Sequence, residues 1–520
     1  MRGSLSATWN RAFALLGRVS MYRLVFLALA AIALVALVLS FFQLVVPDPG
    51  ELLATLALLA VVIAAVDAAA QRIARLPWRI ESSLITAFIL LFVLRPTLEP
   101  LGLLGVALAG AAAAVSKYVL VWRGRHILNP AAFGAALLTV VSIGAPDLGA
   151  SSWWVGTPAL AAPVLIAGLV VLMRTEKVRV VLLFWVVATV VALIRTFVQY
   201  QSLGIDIDPG MIVSQVLWAS PFLFLGAFML SEPLTLPPRR WQQYVVALVV
   251  GILAGWPIPL GEITLGQERA LLIGNLVAFA LAVRVAVRLT LEARRPLGPT
   301  AVEATFRASR RFRFQPGQYL QLDVPHHRPD ARGTRREFSL VSAPEDLPTV
   351  RIAFRDGGGG PQSTYKRALA ATAPGDALPV TGVWGDFVLP RRADAPLLLV
   401  AAGIGITPFV SQLRHLRRSG ERRDIVVVAV APALDELPYR DELEAAGVPV
   451  VVATRAQPAT LPAGWTWAGP GRLDAAGLER AVPDLSARRA FVSGPPALIA
   501  DLAPALSRAR SLTTDAFSGY

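Results

Sequence analysis

Residues 397–413 read LLLVAAGIGITPFVSQL. The uninterrupted apolar run at the start of this stretch describes a strand buried on both faces, as in a parallel sheet. Gly403 and Gly405 then break the run, and a helix follows from Thr407-Pro408. Strand, glycine turn and helix in that order form the repeating unit of a doubly wound α/β domain. At such a turn, glycine lets the backbone come close to a phosphate. On its own, a Gly-x-Gly turn says little; its weight depends on what surrounds it.

Upstream of this unit the pattern differs. FRFQPGQYLQLDV (312–324) and TVRIAFRD (349–356) alternate as short strands and read as a small antiparallel β-barrel. LEARRPLGPT (291–300) is basic, contains Pro and Gly, and reads as a linker. Before it, long runs of Ala, Val, Leu and Ile dominate. The expected organisation is therefore multi-domain: a polytopic α-helical membrane domain (1–290), a linker (291–300), an antiparallel β-barrel domain (301–392) and an α/β doubly wound nucleotide-binding domain (393–520).

The overall composition agrees with this division. The chain has 520 residues and is 55% hydrophobic, above the usual globular range of roughly 45–50%. Its formal charge is +14, but Arg and Lys concentrate in short loops between apolar runs, as the positive-inside rule requires. The charge therefore points to a lipid bilayer and not to nucleic acid. There are no cysteines, which excludes an iron–sulfur cluster held by thiolates of this chain.

A spanning helix needs about 20 predominantly apolar residues. Ten candidates lie near 22–46, 51–70, 82–95, 101–121, 131–145, 158–173, 179–198, 211–230, 242–258 and 270–290. Loops carrying Arg72, Arg75 and Arg79, Arg123 and Arg125, Arg174, Lys177 and Arg179, or Arg239 and Arg240 alternate with acidic or neutral loops. Ten spans with this alternation give a multi-pass integral membrane protein with both termini in the cytoplasm, expected in a bacterial cell membrane. Asp67, Lys117, Arg195 and Arg284 lie near predicted span ends, from which long side chains reach the interface. His126 is the only histidine of the membrane part; a transmembrane haem held by two histidines is therefore not expected, which leaves a flavin (FMN) or a quinone as the carrier there.

In the soluble part, the strongest segment is Arg336-Glu337-Phe338-Ser339. It resembles the flavin motif Arg-x-Tyr/Phe-Ser/Thr of ferredoxin–NADP reductase-like enzymes, and PGQY (316–319) stands on the preceding strand as in that family. The resemblance implies FAD, with Arg336 on its pyrophosphate, Phe338 and Tyr319 at the flavin, and Ser339 near N5. The run Gly357–Gly360 with Pro361-Gln362-Ser363-Thr364 resembles the family's second FAD segment, implying contacts from Gly360, Gln362, Ser363 and Thr364. GVWGDFVLP (382–390) stands where the family closes its barrel, with Phe387 as packing. The same resemblance makes Gly403, Gly405, Thr407 and Pro408 the turn that receives NAD(P)H, joined by Ser493, Gly494 and Pro495 of FVSGPPALI (491–499). Thr407 would lie near the nicotinamide. Terminal aromatics cover the flavin in this family, which points to Phe517 first and Tyr520 second. Arg455, after a strand, is the candidate for an NADPH 2′-phosphate.

The membrane part resembles a second family, the D subunit of Rnf-type electron transport complexes and the B subunit of sodium-translocating NADH:quinone reductases. RIESSLITAFILLFVLRP (79–96), GRHILNPAAFG (124–134), GAFMLSEPLTLPPRRWQQY (226–244) and LLIGNLVAFAL (271–281) carry it. Asn129-Pro130 reads as a helix start. Glu232 is a carboxylate beside a broken helix end, suited to a cation or a cofactor hydroxyl, or to a loop near Arg239. The family's covalent FMN motif is represented only by the shortened Asp147-Leu148-Gly149-Ala150-Ser151, so Asn129, Ser151 and Glu232 are the candidate membrane cofactor residues.

Together these readings predict a membrane-bound NAD(P)H:acceptor oxidoreductase. Hydride passes from NAD(P)H to FAD, then single electrons pass to a flavin, a quinone or a partner redox protein. Ion translocation driven by that electron flow is the alternative. No metal site is predicted.

Overall fold

The structure, a computed structural model, describes residues 21–73, 80–122, 125–175, 177–261, 263–282, 287–326, 334–355, 363–470 and 472–516. The chain forms two compact units, Met1–Val283 and Arg284–Tyr520.

The first unit is helical. Its helices are α1 (Met21–Phe41), α2 (Pro49–Ile73), α3 (Ile80–Val93), α4 (Pro100–Val119), α5 (Pro130–Val141), α6 (Pro158–Thr175), α7 (Val178–Ser202), α8 (Pro209–Ala219), α9 (Arg240–Gly255) and α10 (Gln267–Leu281). Two hairpins, β1 (Val121–Trp122) with β2 (Arg125–His126) and β3 (Ile258–Leu260) with β4 (Ile263–Leu265), fill loops. Five helices start on proline, whose fixed φ suits the first helical position and whose missing N–H is no loss there. Asn129 caps α5 by accepting from Ala132 N at 3.0 Å, and Asp208 caps α8 by accepting from Gly210 N at 3.1 Å. After α8 the chain runs through Phe222–Phe224 into a π-helical turn, Leu225–Leu230, in which every residue is buried.

A helix stands at each of the ten expected positions, but not all of them have the length of a full span. Among the described residues five segments are long and apolar enough to cross a bilayer: Met21–Phe41, Pro49–Ile73, Pro100–Val119, Val178–Ser202 and Pro209–Leu230. The others stop early. α5 has 12 residues, and α10 ends at Leu281, not near 290. Large apolar side chains such as Leu34, Val61 and Ile166 stand 64–67% exposed on the helix surfaces, which suits lipid contact. At helix contacts glycine lets backbones approach: a Cβ at Gly134 would stand 2.3 Å from the carbonyl of Ala109 on α4.

Asp67 and Lys117 depart from expectation as well. They do not reach out from span ends. Both are buried, and Lys117 Nζ stands 2.9 Å from Asp67 Oδ2. A charge that cannot reach water needs an opposite charge beside it.

The second unit has two sheets. The first is antiparallel, built from β5 (Val287–Pro296), β6 (Ala301–Ala308), β7 (Tyr319–Asp323), β8 (Arg335–Ser339), β9 (Thr349–Arg355) and β10 (Ala377–Trp384), in the order β8-β7-β10-β5-β6-β9. Its two edge strands meet at one bridge, Leu340 to Ile352. The expected linker 291–300 is not a linker: its first six residues belong to β5, where Leu289 and Leu291 enter the core. Pro and Gly did mark a turn, but only at Leu297–Thr300. Helix α11 (Thr364–Ala371) packs on this sheet through the buried Tyr365 and Leu369.

The second sheet is parallel: β11 (Leu397–Ala402), β12 (Ile425–Val430), β13 (Val450–Ala453), β14 (Trp465–Trp467), β15 (Arg489–Gly494) and β16 (Ser511–Ala516), in the order β14-β13-β12-β11-β15-β16. It is covered by α12 (Thr407–Ser419), α13 (Arg440–Ala446), α14 (Ala475–Ala481) and α15 (Pro496–Leu506). The LLLV run of β11 feeds both faces. Leu397 and Leu399 enter one core, with Phe409 and Leu413 of α12. Leu398 and Val400 enter the other, with Leu498 and Leu502 of α15.

Helix α12 also joins the two sheets. Ser411 Oγ donates to Ser342 O at 2.6 Å, Gln412 Nε2 to Phe387 O at 2.9 Å, and Arg414 Nη1 to Val341 O at 3.3 Å. Arg414 Nη2 donates in turn to Glu442 Oε1 at 2.5 Å. Desolvation alone would raise the Glu442 carboxyl, but the hydrogen bond and charge of Arg414, with Arg417 and Arg351, outweigh it and hold the group below its ordinary value. A depressed folded-state value contributes stability above the unfolded value, and this is lost as pH falls through the folded one. Arg414→Met is therefore expected to destabilise the unit by about 1–2 kcal/mol at neutral pH, allowing for partial exposure of Glu442. In thermal unfolding across pH the deficit should shrink below about pH 4, the unfolded carboxyl range.

Candidate functional site

In a parallel sheet built this way the chain reverses direction of growth once. Strands β11 to β14 are laid down one way, and β15 and β16 return to the other side of β11. Connections leaving β11 and β15 therefore part to opposite faces, and a crevice opens at their carboxyl ends. The predicted NAD(P)H residues converge there. Gly403–Ile406 form a tight turn after β11, Thr407-Pro408 open α12, and Ser493-Gly494 end β15 with Pro495 capping α15.

Gly405 is fixed by contact. A Cβ at this position would stand 2.4 Å from the carbonyl oxygen of Ser493. The two turns touch backbone to backbone, and no other residue permits that. Thr407 is 2% exposed, and its Oγ1 donates to Ile404 O at 3.0 Å, so its hydroxyl braces the turn. Ser493 is fully buried, and its Oγ has no hydrogen-bond partner among the described residues. Such a group is costly unless a partner arrives. Arg455 follows β13 on the same sheet edge, two strands or about 10 Å from β11. Its backbone N–H donates to Pro432 O at 3.2 Å, and its side chain is exposed.

The predicted FAD residues gather on the antiparallel sheet. Tyr319 and Ser339 are direct cross-strand partners on β7 and β8. Gly317, before β7, has φ +92, and a Cβ there would meet the Phe387 carbonyl at 2.1 Å; PGQY thus turns against the GVWGDFVLP segment. Phe387 packs against Phe409 and Phe491, with ring centroids 5.4 and 5.5 Å away.

Tyr365 on α11 is the common neighbour of the flavin motif. Phe338 stacks on it with centroids 6.1 Å apart and planes 29° apart, and the Arg336 guanidinium lies 4.9 Å over its ring. Burial holds the Tyr365 hydroxyl protonated, far above the ordinary phenol range, and it donates to Leu322 O at 3.1 Å. Ser363 caps α11 by accepting from Lys366 N at 3.2 Å, and Thr364 Oγ1 stands 3.3 Å from His326 Nε2. An arginine plane beside a capped helix N-terminus is a donor set suited to a pyrophosphate. Gly360, Gln362, Phe517 and Tyr520 lie outside the described residues.

Two residues escaped the sequence reading. Tyr365 stands at the end of the second FAD-like segment, and nothing in the sequence assigned a role to its ring. Arg355, the last residue of β9, brings Nη2 to within 3.2 Å of where a Cβ of Gly403 would be. It is exposed and has no ion-pair partner among the described residues, so a cation stands at the glycine turn. Its position at a strand end just before the Gly-rich run was the available signal.

In the first unit, Asn129 and Glu232 come together and Ser151 does not join them. Asn129 Nδ2 donates to Glu232 Oε2 at 2.8 Å, and Asn129 N donates to Asn275 Oδ1 at 2.8 Å. Ser151 Oγ donates instead to the buried Glu268 Oε1 at 2.8 Å, which also pairs with Arg269. Trp153 Nε1 donates to Glu268 Oε2 at 2.8 Å.

The parallel sheet with its turn at the reversal has the layout of a doubly wound nucleotide-binding domain. The oxidoreductase NAD-binding domain family matches residues 399–503. The chain is 34% identical to ferredoxin–NADP reductase B of Sorangium cellulosum over 157 residues, 30% of this chain and 62% of that protein. It is 31% identical to an NADPH oxidoreductase of Mycobacterium tuberculosis over 191 residues, 35% of this chain and 46% of that protein. Among solved structures, the FAD/NAD-binding domain of a Vibrio cholerae nitric oxide dioxygenase aligns at 17% identity and a TM-score of 0.38, covering 44% of this chain and 98% of that one. The chain thus spans less than two thirds of the curated relatives named. Its C-terminal unit is similar to ferredoxin–NADP reductases, and within it residues 399–503 match the oxidoreductase NAD-binding domain.

The contact at Gly405 gives a test. Gly405→Ala should push the two turns apart. We expect the KM for NAD(P)H in ferricyanide reduction to rise about tenfold or more, the equivalent of roughly 1.4 kcal/mol of lost binding.

Proposed function

We propose that this chain is a membrane-bound, FAD-dependent NAD(P)H oxidoreductase that delivers electrons to an acceptor at its helical unit. The observation that carries this reading is the backbone contact of Gly405 with Ser493 at the sheet reversal, with Arg355 beside the turn. NAD(P)H would lie there, its phosphates over the Gly403–Thr407 turn and near Arg355, and the buried Ser493 hydroxyl would find its partner in the bound ligand. Arg455, exposed after β13, would meet an adenosine 2′-phosphate, a reading that favours NADPH. Arg336, with Ser363 and Thr364 at the start of α11, would hold the FAD pyrophosphate. Tyr319, Phe338 and Ser339 would orient the flavin ring. Bound FAD would supply the exchange between hydride and single-electron chemistry.

The helical unit is read as similar to the Rnf D and NqrB subunits, with both termini in the cytoplasm. The convergence of Asn129, Glu232 and Asn275, drawn from three separate resembling segments, supports that reading. Its acceptor would be a flavin, a quinone or a partner redox protein. Ser151 is engaged with Glu268, and a noncovalent carrier is favoured over a flavin linked at Ser151.

Purified full-length protein should retain about one FAD per chain and reduce ferricyanide with NAD(P)H. No bound flavin and no NAD(P)H oxidation would refute the reading. Arg336→Ala should lose most of its FAD on gel filtration, measured by flavin fluorescence. Arg355→Ala should keep FAD and raise the KM for NAD(P)H about tenfold, with kcat little changed, because it removes binding and no reacting group.

A further inference from the structure

Residues 287–313 of the second unit carry seven arginines, no lysine, two glutamates and no aspartate. Both glutamates are engaged. Arg307 Nε stands 2.5 Å from Glu292 Oε1, while the buried Glu303 lies 3.5 Å from Arg295 and accepts from the Tyr439 hydroxyl. Arg294 donates to Leu369 O on α11. The other four, Arg288, Arg310, Arg311 and Arg313, are exposed. The fold gathers them. Ser309 N donates to Arg288 O at 2.8 Å and Arg288 N to Ser309 Oγ at 3.1 Å, so the turn after β6 is fastened beside the start of β5. Arg310, Arg311 and Arg313 follow directly on that fastening. The neighbouring turn, bound through Ala308 N to Pro348 O at 2.8 Å, carries two more carboxylates. These are engaged as well: Glu345 Oε1 lies 2.7 Å from His415 Nδ1, and Asp346 Oδ1 lies 2.5 Å from Arg418 Nη1. Arg288, Arg311 and Arg313 have no ion-pair partner among the described residues.

A surface patch of one sign attracts counter-charge from outside the fold. The place of this patch in the chain says where that charge lies. Arg288 comes seven residues after Leu281, the last residue of α10. A chain of that length spans at most about 25 Å, so the patch is tethered to the helical unit. A basic cluster that follows a membrane helix is drawn to the anionic lipids of the surface beside it. The short tether gives those headgroups an effective concentration on the order of millimolar. A soluble acidic protein has no such advantage and must be captured from dilute solution. Phe312, the apolar residue among the arginines, packs inward, its ring centroid 5.6 Å from that of the buried Phe314. The turn therefore offers a bilayer charge and no apolar wedge. Attachment of that kind is electrostatic, and salt releases it.

We propose that Arg288, Arg310, Arg311 and Arg313 form a docking surface for the headgroups of anionic phospholipids. The proposal goes beyond the redox chemistry and rests only on the membrane reading of the helical unit. Arginine suits the task, because each guanidinium presents a planar fork of donors to phosphate oxygens. Individual lipids exchange at such a surface while the attraction persists, so the contact depends on the charge of the bilayer and not on one bound molecule.

The chain has no cysteine, so a single introduced one can be labelled cleanly. Gln315→Cys, at an exposed position just past Arg313, carries a fluorescent donor in full-length protein. The protein is placed in lipid nanodiscs whose headgroups bear an acceptor dye. Discs of phosphatidylcholine alone are compared with discs in which about a third of the lipid is phosphatidylglycerol. Energy transfer should rise about twofold in the anionic discs. It should return to the neutral-disc value at about 1 M salt, where the Debye length is about 3 Å. Arg310→Gln/Arg311→Gln/Arg313→Gln should abolish the rise while FAD content and melting temperature match those of the parent. Arg310→Lys/Arg311→Lys/Arg313→Lys, which keeps the charge, should preserve most of it. Equal transfer in both kinds of disc, or a full rise in the folded glutamine variant, would overturn the proposal. Equal transfer together with capture of an acidic protein that the glutamine variant loses would overturn it in favour of a protein partner. A chain that does not enter the discs at all would refute both the proposal and the membrane reading.

Discussion

The second unit depends on a contact in which no side chain takes part on one side: Gly405 against the Ser493 carbonyl. Parallel strands β11 and β15 are neighbours, with Ala401 opposite Ser493, and both must end in turns that leave towards opposite faces. Two turns in that space collide unless one lacks a side chain. Glycine solves the collision and, by the same absence, exposes backbone to a phosphate. Packing, and the phosphate binding proposed for this turn, therefore rest on the same residue. The buried Ser493 hydroxyl beside it is a polar group that the fold leaves unmatched.

The antiparallel sheet obeys a related rule. Its flavin motif lies on an edge strand, β8, and edge strands expose what central strands hide. Tyr365 answers this from α11. One ring takes the Phe338 face on one account and the Arg336 guanidinium on another. The helix that positions Tyr365 is capped by Ser363, so a change in the cap would reach the flavin motif through packing alone. Helix α12 carries two duties: its first turn lines the crevice proposed for the nucleotide, and Ser411, Gln412 and Arg414 bind the other sheet.

The parts of this protein legible in its sequence are those where local chemistry and tertiary role coincide. LLLV reads as a doubly buried strand because it is one, feeding two cores. PGQY and Gly403–Thr407 read as turns because backbone conformation demands their glycines. The failures occur where distant parts decide. The linker at 291–300 looked like a loop from its Pro and Gly content, but Leu289 and Leu291 are drawn into a core completed by strands far along the chain. Asp67 and Lys117 looked like groups that reach out from helix ends. They pair across α2 and α4, 50 residues apart, and no local pattern reveals that. Arg355 and Tyr365 were missed for the same reason: each matters through a neighbour from another element.

The short helices were the hardest to foresee and matter most for the helical unit. A helix of 12 residues, such as α5, is about 18 Å long, against a hydrocarbon thickness of about 30 Å. In a bilayer such a helix must end inside protein, where its free amides and carbonyls cannot be met by water. Side chains must meet them instead. Asn129 does so at the start of α5, accepting from Ala132 N and donating to Glu232. The π-helical turn at Leu225–Leu230 ends one residue before Glu232 comes within reach, at Ser231, and π turns often mark functional positions. Shortened helices thus bring polar groups into an apolar interior as a geometric necessity. Once there, a carboxylate and an amide cost less when paired with each other than when left alone. A polar cluster built for that reason is also a place where an ionisable group can be reached and changed.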